Sequence, residues 1–196
     1  MQQLSFKNRI ASYYIITTAL LIFVVFFIIY SIVKLSVYNH LNTDIAKEVK
    51  NHLNEIGIKN NTFYLMHARE WEEREHNTVD VNPVFIQFLD KNGDVIEKSP
   101  NLKNEVLYFN KDIPNNELFD TKILGNKIRQ IQVPIFEGSK IIGYLIIAMS
   151  LEGALIVLQN LEEILIIAYP LILIVLFFIA RFIAGRSIKP ISSIIK

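Results

Sequence analysis

Two long uncharged and mostly apolar runs, one towards each end of the chain, restrict most strongly what it can fold into. The first comprises the 24 residues 10–33 and the second the 17 residues 164–180. Apolar residues continue to position 184 beyond Arg181, whose long side chain can reach a membrane interface. A helix rises about 1.5 Å per residue, so helices of this length can span a hydrocarbon core of roughly 30 Å. The sequence therefore predicts transmembrane helices at residues 10–33 and 164–184.

Basic residues flank both runs on what would be the same side of a membrane. Lys7 and Arg9 precede the first run, and the second run ends among Arg181, Arg186, Lys189 and Lys196. The positive-inside rule predicts that residues 1–9 and 185–196 are both cytoplasmic. A cleaved signal peptide is the alternative for the first run. Because the run exceeds a typical apolar core of about 7–15 residues and no small-residue cleavage site follows it, we predict a retained anchor.

The segment between the runs, residues 34–163, is predicted to form one extracytoplasmic domain. Its 130 residues suffice for a compact core, and its 14 basic and 19 acidic residues give a formal charge of −5. The chain has no cysteine, so disulfide bonds cannot stabilise the domain. It has no stripe of basic residues interleaved with aromatic ones, so nucleic acid is not an expected partner.

An amphipathic helix is predicted directly after the first run. Leu41, Ile45 and Val49 repeat at four-residue steps and continue the transmembrane helix, which Gly57 is expected to end. The apolar stripe can pack on its own domain or on the same helix of a second copy. Both alternatives stay open at this point.

A second helix is predicted over residues 61–77, with two histidines that invite a metal site. His67 and His76 are nine residues apart, which places them on opposite sides of a straight helix. The sequence therefore predicts no metal site there.

Two β-hairpins are predicted in the rest of the segment. The first covers residues 84–99 with an Asn-Gly turn, and the second covers residues 126–149, with Pro134 at a strand edge or bulge. Residues 100–121 lack a steady periodicity and are predicted to form a connecting loop with one short helix at most. Four antiparallel strands with helices packed against them give an α+β fold.

The second hairpin is predicted to lead directly into the second transmembrane helix. Ser150 can cap a helix that begins there and continues into the apolar run. Pro170 removes one hydrogen bond from this helix. A functional hinge and a proline that the helix merely tolerates are both open interpretations.

No sequence motif of catalysis occurs in the chain. It has no glycine-rich phosphate loop, no Gly-x-Ser-x-Gly, no His-Glu-x-x-His and no cysteine pair. Adjacent carboxylates such as Glu72 and Glu73 point in different directions on a helix and are typical of a solvated face. We therefore predict no catalytic residue.

The last residues repeat isoleucine at a coiled-coil spacing. Ile188, Ile191 and Ile195 lie three and four residues apart, as the a and d positions of a heptad do. The stretch RFIAGRSIKPISSIIK resembles the start of a HAMP linker, whose first helix opens with a basic residue, a proline and the pattern Pro-Ile-x-x-Ile. With PVFIQFLDKNGDVIEKSPNL, and with IRQIQVPI leading into IIGYLIIAMSLE, the chain resembles the amino-terminal sensor part of a bacterial two-component sensor histidine kinase.

This resemblance implies a fold, a location and partners. Residues 34–163 would form a PAS-like or Cache-like sensor domain that binds a stimulus, in a homodimer embedded in the lipid of the bacterial cytoplasmic membrane. Binding would shift the transmembrane helices and act through HAMP on a phosphoacceptor helix and an ATP-binding domain, which would phosphorylate a cytoplasmic response regulator. The residues expected to transmit the signal are Pro170, Ile188, Pro190, Ile191 and Ile195.

The kinase parts of such a protein would follow Lys196. The chain has neither a second HAMP helix nor ATP-binding motifs, and all four of its histidines lie in residues 34–163. We therefore expect these residues to be the first part of a longer kinase, inactive alone and without a cofactor of their own. ATP would bind the missing kinase domain.

Three polar residues are candidates for contact with the stimulus. They are Ser99 and Asn101 in the connecting loop and Arg129 on the second hairpin, and the alternatives for them are an ordinary turn and a charge on a strand face. Two other functions stay open for the chain: an input module of a chemoreceptor, and an envelope scaffold that does not signal.

Overall fold

A computed structural model of the chain describes residues 6–59, 62–66, 83–123 and 125–187. Its α-helices and β-strands, in chain order, are α1 (Phe6–Asn54), β1 (Ile56–Lys59), β2 (Thr62–Leu65), β3 (Val84–Asp90), β4 (Val95–Lys98), β5 (Leu118–Ile123), β6 (Asn126–Glu137), β7 (Lys140–Ser150) and α2 (Glu152–Ser187). A short 3-10 helix, Pro100–Leu102, lies in the predicted connecting loop, which was expected to hold one short helix at most. They form two compact units. One holds the described residues up to Leu35 and from Val157, and the other is Ser36–Ile156.

Both helices are long and apolar enough to cross a membrane. The candidate spans are Ser12–Asn54 and Glu152–Ile183, with mean hydropathy of 2.8 and 2.7 in their most apolar windows. Of the residues in those windows, none in the first and 6% in the second are buried within the chain. The prediction of two helices of transmembrane length and composition is confirmed, while their insertion and the location of both termini stay predictions.

The prediction that the first helix continues beyond its apolar run is confirmed, because α1 extends over 49 residues to Asn54. Within the 36–156 unit, the side chain of Ile45 is fully buried, and Leu41, Val49 and Leu53 pack beside it. The predicted stripe therefore packs on its own domain. Gly57 lies in β1 and not at the helix end.

The prediction of a helix over residues 61–77 is wrong for residues 62–65, which belong to the part of this segment that the structure describes. Thr62–Leu65 is strand β2, which pairs antiparallel to β1. Phe63 is buried with its ring centroid 5.7 Å from that of Phe88, whereas Thr62 and Tyr64 are exposed. This alternation is typical of a strand but is too short to stand out against the helix-like pattern that follows. His67 and His76 lie outside the described residues.

The α+β class and the antiparallel sheet are confirmed. The main sheet has five strands in the order β4-β3-β7-β6-β5, and each neighbouring pair is antiparallel. Both predicted hairpins, β3–β4 and β6–β7, are present.

The connecting loop is shorter than predicted, because β5 occupies Leu118–Ile123 and pairs with the first half of β6. This edge strand is mostly half-exposed and contains Asp120 and Lys122, so it has no clean apolar alternation for the sequence to reveal. Its pairing ends at Ile131, so Pro134 lies in a part of β6 that, within the described ranges, pairs with β7 and with no other strand. The prediction of a strand edge at Pro134 is confirmed.

The two faces of the sheet are covered by different parts of the chain. One face packs against α1, and its buried core comprises Ile86, Phe88, Ile131, Val133, Leu145 and Ile147. At this face a side chain would not fit at Gly143, because the Phe63 ring and the Leu89 carbonyl oxygen occupy the space of a Cβ atom. The opposite face lies under the loop 99–117, and its core comprises Phe85, Leu89, Leu102, Leu107, Tyr144 and Ile146.

The end of β7 leads directly into α2. The backbone N–H of Glu152 donates to the Ser150 hydroxyl at 3.1 Å, which confirms the predicted cap. The N–H of Leu151 donates to the carbonyl oxygen of Lys127 on β6 at 2.9 Å. The residue directly before α2 is thus bonded to the sheet. Pro170 lies within the helix, as predicted.

Asp90 closes the first hairpin. Its Oδ1 accepts hydrogen bonds from the backbone N–H groups of Asn92, Gly93 and Asp94, each at 2.8 Å. The Asp94 N–H has the largest effect, and together the three donors lower the pKa of the Asp90 carboxyl against a smaller opposing effect of desolvation. Gly93 adopts φ +103°, and the Phe109 ring of the loop lies where its Cβ would project.

Asp90→Ala should reduce the stability of the chain in a pH-dependent way. Because the pKa is lower in the folded state, the stabilisation by the Asp90 carboxylate is present above the unfolded value of about 4 and is lost as the pH falls through the folded value. Thermal unfolding in detergent at pH 7 and pH 3 measures this. The difference between wild type and Asp90→Ala should shrink at pH 3, and Asp94→Ala, which keeps all three backbone donors, should show no such change.

Candidate functional site

Arg129 of β6 binds residues from two other elements, α1 and β5, on the helix-covered face of the sheet. Its Nε donates to Asn42 Oδ1 of α1 at 2.7 Å, and its Nη1 pairs with the Asp120 carboxylate of β5. The guanidinium carbon lies 5.2 Å from the ring centroid of Tyr38. We call Tyr38, Asn42, Asp120 and Arg129 the arginine junction. It joins the helix that continues the first apolar run to the edge of the sheet.

The sheet register explains why these groups meet. Arg129 and Asp120 are directly opposite on β6 and β5, the position at which cross-strand charge pairs interact most closely. Only 16% of the Arg129 side chain is exposed. Its planar guanidinium contacts an amide, a carboxylate and an aromatic ring at the same time. Cation–π contacts of this kind contribute about 0.5–2 kcal/mol. The junction is therefore stronger than a solvated ion pair.

The same strand positions lie beside the start of the second helix. Arg129 pairs with Met149, and Ile128 pairs with Ser150, the residue that caps α2. Within the 36–156 unit, β6 therefore contacts α1 through the arginine junction and the start of α2 through the strand ladder.

Three buried glutamines hold the loop on the opposite face of the sheet. Gln87 exchanges two hydrogen bonds with the backbone of Leu107, and Gln130 Nε2 donates to the Tyr108 carbonyl at 2.6 Å. Gln132 Nε2 donates to the carbonyl oxygens of Asn110 and Ile113 and to Asn115 Oδ1 at 3.1, 3.0 and 3.3 Å. We call Gln87, Gln130 and Gln132 the glutamine row. Its members are at most 1% exposed.

The glutamine row was not predicted from the sequence, although a signal was present. In IRQIQVPI the isoleucines and glutamines alternate, so Gln130 and Gln132 share the face opposite to Ile131 and Val133. Read alone, that pattern indicates a solvated face. Here the amides are buried because they bond to the backbone of a loop that covers them.

Ser99 and Asn101 form a separate polar cluster at β3. The Ser99 hydroxyl donates to Asn101 Oδ1 at 2.7 Å and accepts from the Ile86 N–H at 3.0 Å. Asn101 Nδ2 donates to the Val84 carbonyl oxygen at 2.9 Å. Both side chains are 1% exposed and fix the start of the loop to the sheet.

The three residues predicted to contact a stimulus therefore do not come together. Arg129 contacts α1 on one face, whereas Ser99 and Asn101 anchor the loop whose Leu102 packs on the other. Of the residues predicted to transmit a signal, Pro170 lies within α2. The others, Ile188, Pro190, Ile191 and Ile195, lie outside the described residues.

His52 is the buried histidine of α1, with 1% of its side chain exposed. Its Nε2 lies 3.6 Å from Glu48 Oε2 and its Nδ1 lies 3.9 Å from Glu55 Oε2. Among the described residues, no three histidine, aspartate or glutamate side chains are grouped so that they could hold a metal ion.

Comparison with known proteins adds no family. A scan of the chain against protein-family models and a search of the curated proteins both gave no match.

Arg129→Gln should loosen α1 from the sheet. The substitution removes the ion pair with Asp120 and the cation–π contact with Tyr38. We expect the free energy of unfolding to fall by about 1–3 kcal/mol. Hydrogen–deuterium exchange should show faster exchange in residues 38–53. Lys127→Gln, two residues away on the same strand and exposed, is the matched control. Equal protection of residues 38–53 in both variants would contradict the assigned contacts.

Gln132→Leu should destabilise the loop selectively. It leaves the carbonyl oxygens of Asn110 and Ile113 without their side-chain donor, at a cost of about 1–3 kcal/mol. Gln130→Leu removes one such bond and should cost less. Amide exchange measured over residues 107–117 should rise more in Gln132→Leu than in Gln130→Leu. The reverse order would contradict the hydrogen bonds assigned to Gln132.

Proposed function

We propose that the chain is the membrane-bound sensory input module of a two-component histidine kinase. Residues 34–163 would be a PAS-like or Cache-like sensor domain outside the cytoplasmic membrane, with both termini in the cytoplasm. The module would act as a homodimer and pass an extracytoplasmic stimulus through α2 to a HAMP linker that begins near residue 185. A kinase part that uses ATP would then phosphorylate a response regulator.

The exposure of both apolar runs supports the membrane part of this proposal. A core helix of a soluble protein buries its apolar side chains, whereas Phe27 on α1 and Ile166 on α2 are each 64% exposed. Side chains of this kind are stable in lipid. The antiparallel sheet with one helix-covered and one loop-covered face supports the sensor part, since it is the class of sheet that the resemblance implies.

The proposal rests mainly on the position of the arginine junction. Arg129 contacts α1 and lies next to Ile128, which pairs with Ser150 at the start of α2. A stimulus that favours one of two positions of β5 and β6 would bias α1 through Arg129 and α2 through the pairing of Ile128 with Ser150. In a scaffold without a signalling role the same contacts would serve stability alone. The same geometry also suits a chemoreceptor, which differs in the residues that follow HAMP.

The experiment is a chimera whose output can be measured. Residues 1–196 are joined, in the register of the Pro190-Ile191 pattern, to the rest of HAMP and the kinase part of a histidine kinase with a known response regulator. Arg129→Gln should change the basal transcription of a reporter by about fivefold or more, the lower range of allosteric coupling energies. Lys127→Gln should leave it within about twofold.

Membrane insertion is checked separately in the same cells, by accessibility of single cysteines introduced at exposed positions of the 36–156 unit. An inserted chimera whose output is identical for wild type, Arg129→Gln and Ile191→Asp would argue for the scaffold and against an input module.

A further inference from the structure

A groove of about 530 Å³ lies between the apolar parts of α1 and α2. Aromatic rings form most of its lining: Phe23, Phe26, Phe27 and Tyr30 from α1, and Tyr169 from α2. Leu165, Ile166 and Glu162 complete it. Its volume is in the range of about 300–1,000 Å³ that is typical of small-molecule sites.

Contacts between the two helices fix the floor of the groove. The Tyr169 hydroxyl donates to the Ala19 carbonyl oxygen at 3.3 Å. The rings of Tyr169 and Phe26 meet edge to face, with centroids 6.2 Å apart. Phe23 and Phe27 are 58% and 64% exposed and form walls open to the surroundings. The groove is thus held between the helices and remains accessible.

The polar groups of the groove attract cations. Among the described residues that line the groove, Glu162 is the one with a carboxyl group, and none is basic. Glu162 lies two residues before the charge-free run of α2, and Tyr30 lies one turn before Lys34, so the carboxylate is near the end of both apolar runs. The faces of aromatic rings carry negative charge density that adds to its attraction for a cation.

We propose that this groove binds a cationic amphiphile with one apolar chain. Its ammonium group would lie between the Glu162 carboxylate and the ring of Tyr30, and its chain would lie along Phe23, Phe27 and Ile166. A quaternary ammonium fits best, because it interacts with ring faces and has no N–H donors that the apolar walls would leave unpaired. This binding goes beyond the proposed input function and needs only the two helices side by side.

Charge favours this occupant over a second copy of the chain. The charge-free residues 10–33 of a second copy, laid over the groove, would remove water from Glu162 without supplying a counter-charge, which is costly. An uncharged lipid chain would fill the walls but leave the carboxylate unused. A cationic amphiphile satisfies both parts of the lining.

The test uses the whole chain in nanodiscs of digalactosyldiacylglycerol, a neutral lipid that adds no ammonium group of its own. Dodecyltrimethylammonium with ¹³C-labelled methyl groups is titrated, and its affinity and the magnetisation transfer from its methyl groups to aromatic ring protons are measured by NMR. The comparators are 2,2-dimethyltetradecane, in which carbon replaces the nitrogen, and dodecyl sulfate.

Glu162→Gln should weaken binding of the cation about fivefold, as expected for the loss of one charge contact that also orients the ammonium group. Glu163→Gln is the matched control, since Glu163 is the next residue and does not line the groove, and its affinity should stay within about twofold of wild type. Tyr30→Leu should remove most of the methyl-to-tyrosine transfer, which leaves Tyr169 as the other tyrosine of the lining. Circular dichroism of each variant verifies that both helices are intact.

Three results would overturn the proposal. The first is equal affinity for the cation and its neutral isostere, which would show apolar partition alone. The second is an equal effect of Glu162→Gln and Glu163→Gln, which would show unspecific surface charge. The third is a disulfide cross-link between two copies of the Phe27→Cys variant whose yield does not fall when the cation is saturating. That result would show that a second copy occupies the groove. Reporter output plays no part in these measurements, so they do not depend on the outcome for the chimera.

Discussion

The packing of α1 on the sheet is the contact on which the rest of the structure depends. Ile45 is fully buried there, and the Phe63 ring, Gly143 and the arginine junction are all arranged around the same interface. The helix that makes this contact is also the helix that contains the first apolar run. One element therefore contributes to a protein core and also contains a run long and apolar enough to cross a membrane. Its sequence changes from charge-free and mostly apolar to amphipathic between Val33 and Leu41.

Much of this arrangement could be predicted from local patterns. Charge-free length identified α1 and α2, four-residue spacing identified the stripe around Ile45, and an Asn-Gly turn and alternation identified both hairpins. These signals are strong because each depends on residues close in sequence. The predictions failed where structure depends on distant partners. Phe63 forms a strand because Phe88 and Gly143 accept its ring, and β5 exists because β6 offers it a free edge.

The polar interior of the sheet domain was the least predictable part of the candidate site. Arg129 was a candidate from its strand position, but its partners Asn42 and Asp120 are 87 and nine residues away in sequence. Ser99 and Asn101 were candidates because they are polar and in a loop, and the structure assigns them hydrogen bonds to β3. The bonds of Ser99 and Asn101 leave no periodic trace, and the alternation of Gln130 and Gln132 indicates only a polar face, so the folded chain alone reveals the partners of these side chains.

The glutamine row has a consequence for how sequences of this kind can diverge. Apart from one contact with Asn115, its amides bond to main-chain atoms of the loop and not to side chains. Every amino acid offers the same carbonyl oxygen, and every one except proline the same N–H. The outward side chains of residues 107–113 can therefore be exchanged without loss of these anchors, so new surface chemistry can arise on a fixed backbone path.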